Sequence, residues 1–215
     1  MPNFKELYYP NGLEPTRDQL LQYQHLVPEE VRQQWMDLNQ SFSNYKAFLK
    51  HSEWAQYSKS SDGNSRLYTR VSSRNLLCLK SISHCRGEIE QLVDLLADCK
   101  TKPKYDDTVE SARFVYENLP FDMSVMYQKH KKILVVSPRD LIIIGKIYRI
   151  SKEEIYIMAR AIDIPSIPPQ KNIVRADTPL GGWRLKLKQP AQDGKKPLVK
   201  MTFFSEIDFK ISLFI

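Results

Sequence analysis

From Phe121 onward, apolar residues recur at every second position in one segment after another, and no helix-period stretch interrupts them. Phe121, Met123, Val125 and Tyr127 alternate with polar neighbours, apart from Met126. Ile155, Ile157, Ala159 and Ala161 alternate with Tyr156, Met158 and Arg160. Trp183, Leu185 and Leu187 alternate with Arg184, Lys186 and Lys188, and Val199, Met201, Phe203, Ser205, Ile207 and Phe209 form one face of a long last strand. Ile133 to Val136 and Leu141 to Ile150 are also β-rich. A side-chain period of two belongs to a strand. About six strands in succession lack the crossovers that parallel neighbours require, so this half must form an antiparallel sheet.

The upstream half supplies helices and further strands. Residues 1–13 read as a tail, and Thr16 is placed to cap a short helix carrying Leu20 and Leu21. Pro28 opens a long helix whose stripe, Val31, Trp35, Leu38, Phe42, Tyr45 and Leu49, steps by three and four. Trp54–Ser58, Leu67–Ser72 and Leu76–Ile82 read as short strands around the turn at Asp62-Gly63. Ile89 to Leu96 marks a second helix and Val109, Ala112, Tyr116 and Leu119 a third. The order is α+β: a helix, three strands, two helices and about six strands. Arg160 and Lys200 fall on these strands, facing either solvent or a cavity.

Several function classes are excluded by what is missing. Seven glycines form neither GxGxxG nor GxxxxGK, so no phosphate cradle is expected. The four histidines, 25, 51, 84 and 130, lie far apart, and no metal or cofactor is expected. No catalytic constellation emerges either. No apolar run approaches the ~20 residues of a membrane span, and Met1 to Pro10 has no apolar signal region. Three cysteines, Cys78, Cys85 and Cys99, without CxxC spacing fit free thiols in a reducing cytosol. The net charge is +7, with seven basic groups and only Asp140 acidic between Lys129 and Lys152. That excess suits a solvated face, or an anionic membrane, nucleic acid or acidic partner.

Five segments in order resemble a known family. Val135-Val136-Ser137-Pro138-Arg139-Asp140-Leu141 is similar to the "RD" strand of START domains, the StAR-related lipid-transfer modules. Asp163 to Arg175 looks like that family's loop leading to a "gvxR" strand. Gly181-Gly182-Trp183 matches its glycine-aromatic strand, Phe203 to Lys210 its last strand, and Asp98-Lys102-Tyr105-Asp106 its "D…R…WD" junction. The resemblance covers roughly residues 30–215, giving an N-terminal extension over 1–28 and a START-like domain over 29–215. It implies a helix-grip fold, in which a curved antiparallel sheet and helices enclose an apolar tunnel for one lipid.

The resemblance also nominates residues. In phosphatidylcholine-transfer relatives an Arg and an Asp of the junction contact the head group. Lys102 and Asp106 stand there, with Tyr105 for the Trp. Lys102 reads equally well as a surface lysine beside Pro103. The Glu–Arg pair of the steroidogenic branch maps to Met126 and Gly145, so that pair is absent, and no choline cage is evident at Leu141. Arg139, Arg160, Met201 and Phe203 complete the expected ligand-binding set. Ile164, Pro165, Ile167 and Pro168 are expected to be the apolar tips of a flexible entrance loop that touches membrane.

The family's last strand leads into a long amphipathic helix, whereas this sequence ends at Ile211-Ser212-Leu213-Phe214-Ile215. The expectation is that the lid is missing and that Val199, Met201 and Phe203 lie open. The expected function is binding of a single sterol or phospholipid, with transfer or sensing at anionic membranes, by a cytoplasmic, peripherally membrane-associated carrier without catalysis. The alternative is a helix-grip cyclase or hydrolase acting on an apolar substrate. Nucleic acid is not expected as a partner.

Overall fold

Thr16 caps α1 (Arg17–Tyr23): its hydroxyl accepts from the Gln19 amide at 3.3 Å, and the Gln19 side chain accepts from the Thr16 amide at 2.8 Å. This reciprocal box satisfies two amides that the helix leaves without partners. The computed structural model describes residues 14–132, 137–208 and 210. A 3-10 turn (Gln24–Leu26) leads into α2 (Glu29–Asn39) and α3 (Phe42–Lys50). The stripe expected to be one helix is therefore two. The Gln40 amide turns back to the Asp37 and Leu38 carbonyls, and the Ser41 hydroxyl donates to Leu38 at 2.9 Å. The break keeps Val31, Trp35 and Leu38 buried along with Phe42, Tyr45 and Phe48 in one core. Leu20 of α1 is fully buried in that same core, so the helix expected in the N-terminal extension packs into the domain.

Three strands follow, β1 (Ala55–Lys59), β2 (Arg66–Val71) and β3 (Leu77–Arg86), then α4 (Ile89–Ala97) and the short α5 (Lys102–Tyr105). The remainder is β4 (Val109–Leu119), β5 (Met123–His130), β6 (Arg139–Ser151), β7 (Glu154–Ala161), β8 (Val174–Arg175), β9 (Asp177–Gln189) and β10 (Leu198–Asp208). They form one sheet in the order β1-β2-β3-β10-β9-β7-β6-β5-β4, with β8 parallel to β6. All neighbours along that order pair antiparallel.

Residues 109–119 correct the expected third helix. The steps of three and four that suggested it come from a strand whose pairing with β5 slips at Val109/Ser111, Phe114/Tyr116 and Tyr116/Leu119. Each bulge changes the phase of the side chains, and a rephased strand imitates a helical stripe. Its Phe114-Val115-Tyr116 centre has the β-branched and aromatic character that suits a sheet. Ile133 to Val136, Phe209 and Ile211 to Ile215 lie outside the described residues.

The two faces of the sheet are covered differently. On one, α1, α2 and α3 seal Ile142, Ile144 and Tyr148 of β6, Met158 of β7 and Phe204 of β10, all at 0% exposure. Phe42 stacks on Tyr148 with ring centroids 4.2 Å apart. On the other, α4 covers Ile155, Leu185 and Val199, which are fully buried with Val93. That corrects the expected open face: Val199 is sealed, and Met201 is half-buried against the same cluster. Beyond α4, Ile143, Phe203 and Ile207 of this inner face are half-buried.

Candidate functional site

Leu141, Ile143, Gly145, Ile147 and Arg149 are successive inner-face positions of β6, and all five line a cavity of about 520 Å³. The eight steps from Leu141 to Arg149 span roughly 26 Å at ~3.3 Å each, so the cavity runs along the strand. Met126 on β5, Ile157 and Ala159 on β7, Trp183 on β9 and Phe203 on β10 add to the lining, with α4 and α5 contributing from one side. Inner-face residues from β4 to β10 can meet around one space only if the sheet curves about it. The alternating pattern puts the odd-numbered positions of β6, β7, β9 and β10 on this side and the even-numbered ones against the core.

Polar groups gather at the two ends. At the Arg149 end, the buried guanidinium makes two hydrogen bonds to Glu90 of α4, at 3.0 and 3.2 Å, and pairs with Asp122. At the Leu141 end stand Lys102, Tyr105, Asp106, Thr108, Gln128 and His130. Lys102 rests against Tyr105, its Nζ 3.5 Å from the phenolic oxygen and 5.9 Å from the ring centre. Burial holds the Lys102 ammonium below the ordinary lysine range, and burial raises Tyr105 to about 12. The Thr108 hydroxyl donates to Asp106 at 2.6 Å and lies 3.1 Å from His130 Nδ1. Gln128 Nε2 lies 2.8 Å from His130 Nε2.

Of the residues nominated from the sequence, Lys102, Tyr105, Asp106, Met126 and Phe203 line the cavity. Arg139, Arg160 and Met201 do not. Arg139 is buried and donates to the Ser137 carbonyl. Arg160 reaches the opposite face, where it meets Asp37 of α2 at 3.2 Å. Lys200 likewise faces the outer side, opposite Lys186. The loop residues Ile164, Pro165, Ile167 and Pro168 also lie outside the lining, and Ile164 is only 3% exposed. Ile164 and Ile167 pack inward on the core, which leaves Pro165, Pro168 and Pro169 as the exposed apolar residues of that loop. The loop is anchored: Ser166 donates to Glu30 through its amide at 3.1 Å and its hydroxyl at 2.6 Å.

Thr108, Gln128 and His130 were not nominated. A signal for two of them was present, since Gln128 and His130 follow Met126 at steps of two and so share its face. Thr108 has no such signal, because the spacing of the segment after it reads as a helix.

The comparisons agree with this geometry. The fold matches human STARD10 with a TM-score of 0.67 at 22% identity, covering 81% of this chain and 69% of that one. It matches human StAR-related lipid transfer protein 5 with a TM-score of 0.71 at 14% identity, covering 83% of each chain. The lipid transfer and protein localization domain of human StarD13 gives 0.61 at 14% identity, over 80% and 82%. By sequence alone, no curated protein matches the chain. The START-domain family model matches residues 33–210. The chain therefore belongs to the START family, whose members are generally lipid-binding and lipid-transfer domains.

Proposed function

We propose that this chain binds one lipid in the cavity between the sheet and α4–α5 and carries it between membranes without altering it. The observation that carries the reading is the contrast between the two faces of β6. Ile142 and Ile144 are sealed at 0% exposure, while Ile143 and Ile147 between and beyond them line the cavity. A cavity of about 520 Å³, apolar over most of its wall area and carrying numerous polar groups as well, is of the size that holds one small ligand. Exposing a lipid's apolar surface to water would cost on the order of 10 kcal/mol at ~25 cal/mol per Å², which a dry cavity avoids.

The outer face of β3, β10 and β9 supports contact with an anionic membrane. Lys200 lies directly opposite Lys186, and like charges so placed repel. Burial and then the neighbouring Lys188, Arg184, Arg66 and Lys186 depress the Lys200 ammonium, and Lys80 beside it falls to about 8 through burial, Lys200 and Arg70. Anionic head groups would relieve that repulsion. No helix among the described residues is long and apolar enough to cross a membrane. Cys78, Cys85 and Cys99 are all free thiols, which fits a reducing cytoplasm.

Native mass spectrometry of the purified chain after incubation with mixed vesicles tests the proposal. One lipid mass added per chain is expected. A folded chain that retains no lipid of any common class would overturn it.

A further inference from the structure

The hydrogen bonds at the Leu141 end of the cavity run in one direction only. The Asp106 carboxylate can only accept, so the single hydroxyl proton of Thr108 goes to it, across 2.6 Å. The Thr108 oxygen is then an acceptor, and His130 Nδ1 at 3.1 Å must carry the proton between them. A neutral imidazole protonated at Nδ1 presents a lone pair at Nε2. Burial keeps His130 below the ordinary histidine range, with Asp106 opposing and Lys102 reinforcing that shift, so the neutral form holds at pH 7. Gln128 meets that lone pair at 2.8 Å, and only its NH₂ can do so. Turning the amide over would set its oxygen against Nε2, two acceptors face to face.

The outcome is that the Gln128 amide oxygen faces away from His130. It is buried and has no hydrogen-bond partner, although a buried acceptor left unmade costs free energy. Gln128 itself is only 6% exposed and lines the cavity, as do Asp106, Thr108 and His130. A ligand donor that reaches this oxygen from the cavity would satisfy it.

We infer that the cavity selects a neutral lipid whose polar end is a hydrogen-bond donor, a hydroxyl above all, which the Gln128 amide oxygen accepts. The inference rests on the lipid-binding reading above and adds the class of ligand. A sterol or a diacylglycerol carries such a hydroxyl, whereas a phosphatidylcholine head group offers acceptors and no donor. Asp106, Thr108 and His130 act as positioning residues: they fix which end of the amide the ligand meets.

Binding of dehydroergosterol is to be compared with that of its 3-O-methyl ether, which keeps the ring system and loses the donor, and with a fluorescent phosphatidylcholine. The free sterol is expected to bind at least tenfold more tightly than the ether. Gln128→Leu should bring that ratio below threefold. Thr108→Val should do the same with Gln128 intact, because His130 is then released to the other tautomer and the amide can turn. Circular dichroism checks the fold of each variant, and if Gln128→Leu does not fold, Thr108→Val carries the test. Equal binding of sterol and ether by the wild type, or a tenfold ratio that survives in a folded variant, would overturn the inference. Tight phosphatidylcholine binding with no sterol or diacylglycerol binding would overturn it too, while leaving the chain a lipid binder. Binding of no lipid at all would remove both readings.

Discussion

The fully buried Asp140 carboxylate accepts two hydrogen bonds from the Arg175 guanidinium, at 2.7 and 3.1 Å. This pair clips β8 alongside β6, and the same guanidinium reaches Asp163 at 3.0 Å and the Ile167 carbonyl at 3.3 Å. One side chain therefore secures both ends of the loop that runs past Ser166. Asp140→Asn leaves the buried guanidinium with only the exposed Asp163 as a counter-charge, and breaking a buried pair of this kind costs up to about 3–5 kcal/mol. Urea unfolding should show a loss of that size at unchanged m-value, and a loss below about 1 kcal/mol would contradict the role given to the pair.

Glu30 holds the tip of that loop from α2. It accepts from the Ser166 amide and hydroxyl, and from Tyr116 at 2.5 Å. The Ser166 and Tyr116 hydroxyls, in that order, keep its carboxyl below the usual 4.5. A depressed carboxylate contributes stability above its unfolded value and loses it as the pH falls through its folded value. Loop protection should thus be full at neutral pH and decay below about pH 4.5. Hydrogen exchange at Ser166 is expected to speed up several-fold in Glu30→Gln at pH 7, without a matching change in the core strands.

Gly182 of β9 pairs with Met158 of β7 and has no room for a side chain. It sits at φ +145°, and a Cβ there would stand 1.9 Å from the Ile157 carbonyl oxygen. No side-chain movement can relieve a clash with backbone, so Gly182→Ala should separate the two strands beside Trp183. Thermal unfolding is expected to drop well below that of Gly181→Ala, where the nearest neighbours are side-chain atoms at 3.1 and 3.2 Å. Similar melting of the two variants would contradict this.

Lys146 is a buried amine, 1% exposed, whose Nζ donates to Asn39 at 2.5 Å. Burial lowers it to about 7, against 10.5 for an ordinary lysine, with Glu14 and Asp122 opposing the shift. Because the unfolded chain holds this proton more tightly, stability should rise as the pH increases from about 7 towards 10.5. Lys146→Met should flatten that rise in chemical unfolding measured across the window.

The sequence pattern carried the sheet well where strands are regular. β6, β7, β9 and β10 keep a period of two through their middles and slip only near their ends, and their alternation divides Ile157, Trp183 and Phe203 from Tyr156 and Arg184. It failed at β4, where three bulges shift the phase, and at Gln40-Ser41, where the chain turns without a glycine or proline to announce it. The site was legible only in part. Met126 and Phe203 are apolar inner-face residues and were found, but so was Met201, whose place beneath α4 depends on packing that no local pattern reports. Ile164 and Ile167 looked like exposed tips because their neighbours are prolines and polar residues. Only the fold shows that both pack on the core. The chain from Asp106 to Gln128 joins residues from a turn and a strand, and its meaning lies in bond directions.

The central claim is that the space beside Ala159 holds the lipid. Ala159 lines the cavity, and its carbonyl, bonded to Tyr45 OH at 2.7 Å, is untouched by a change of side chain. The decisive measurement is titration of the wild type and Ala159→Phe with dehydroergosterol and with a fluorescent phospholipid, alongside thermal unfolding of both proteins. The wild type should saturate at one lipid per chain with at least one of these probes. Ala159→Phe should weaken that binding at least tenfold while melting within a few degrees of the wild type. Undiminished lipid binding by a folded Ala159→Phe would contradict the account.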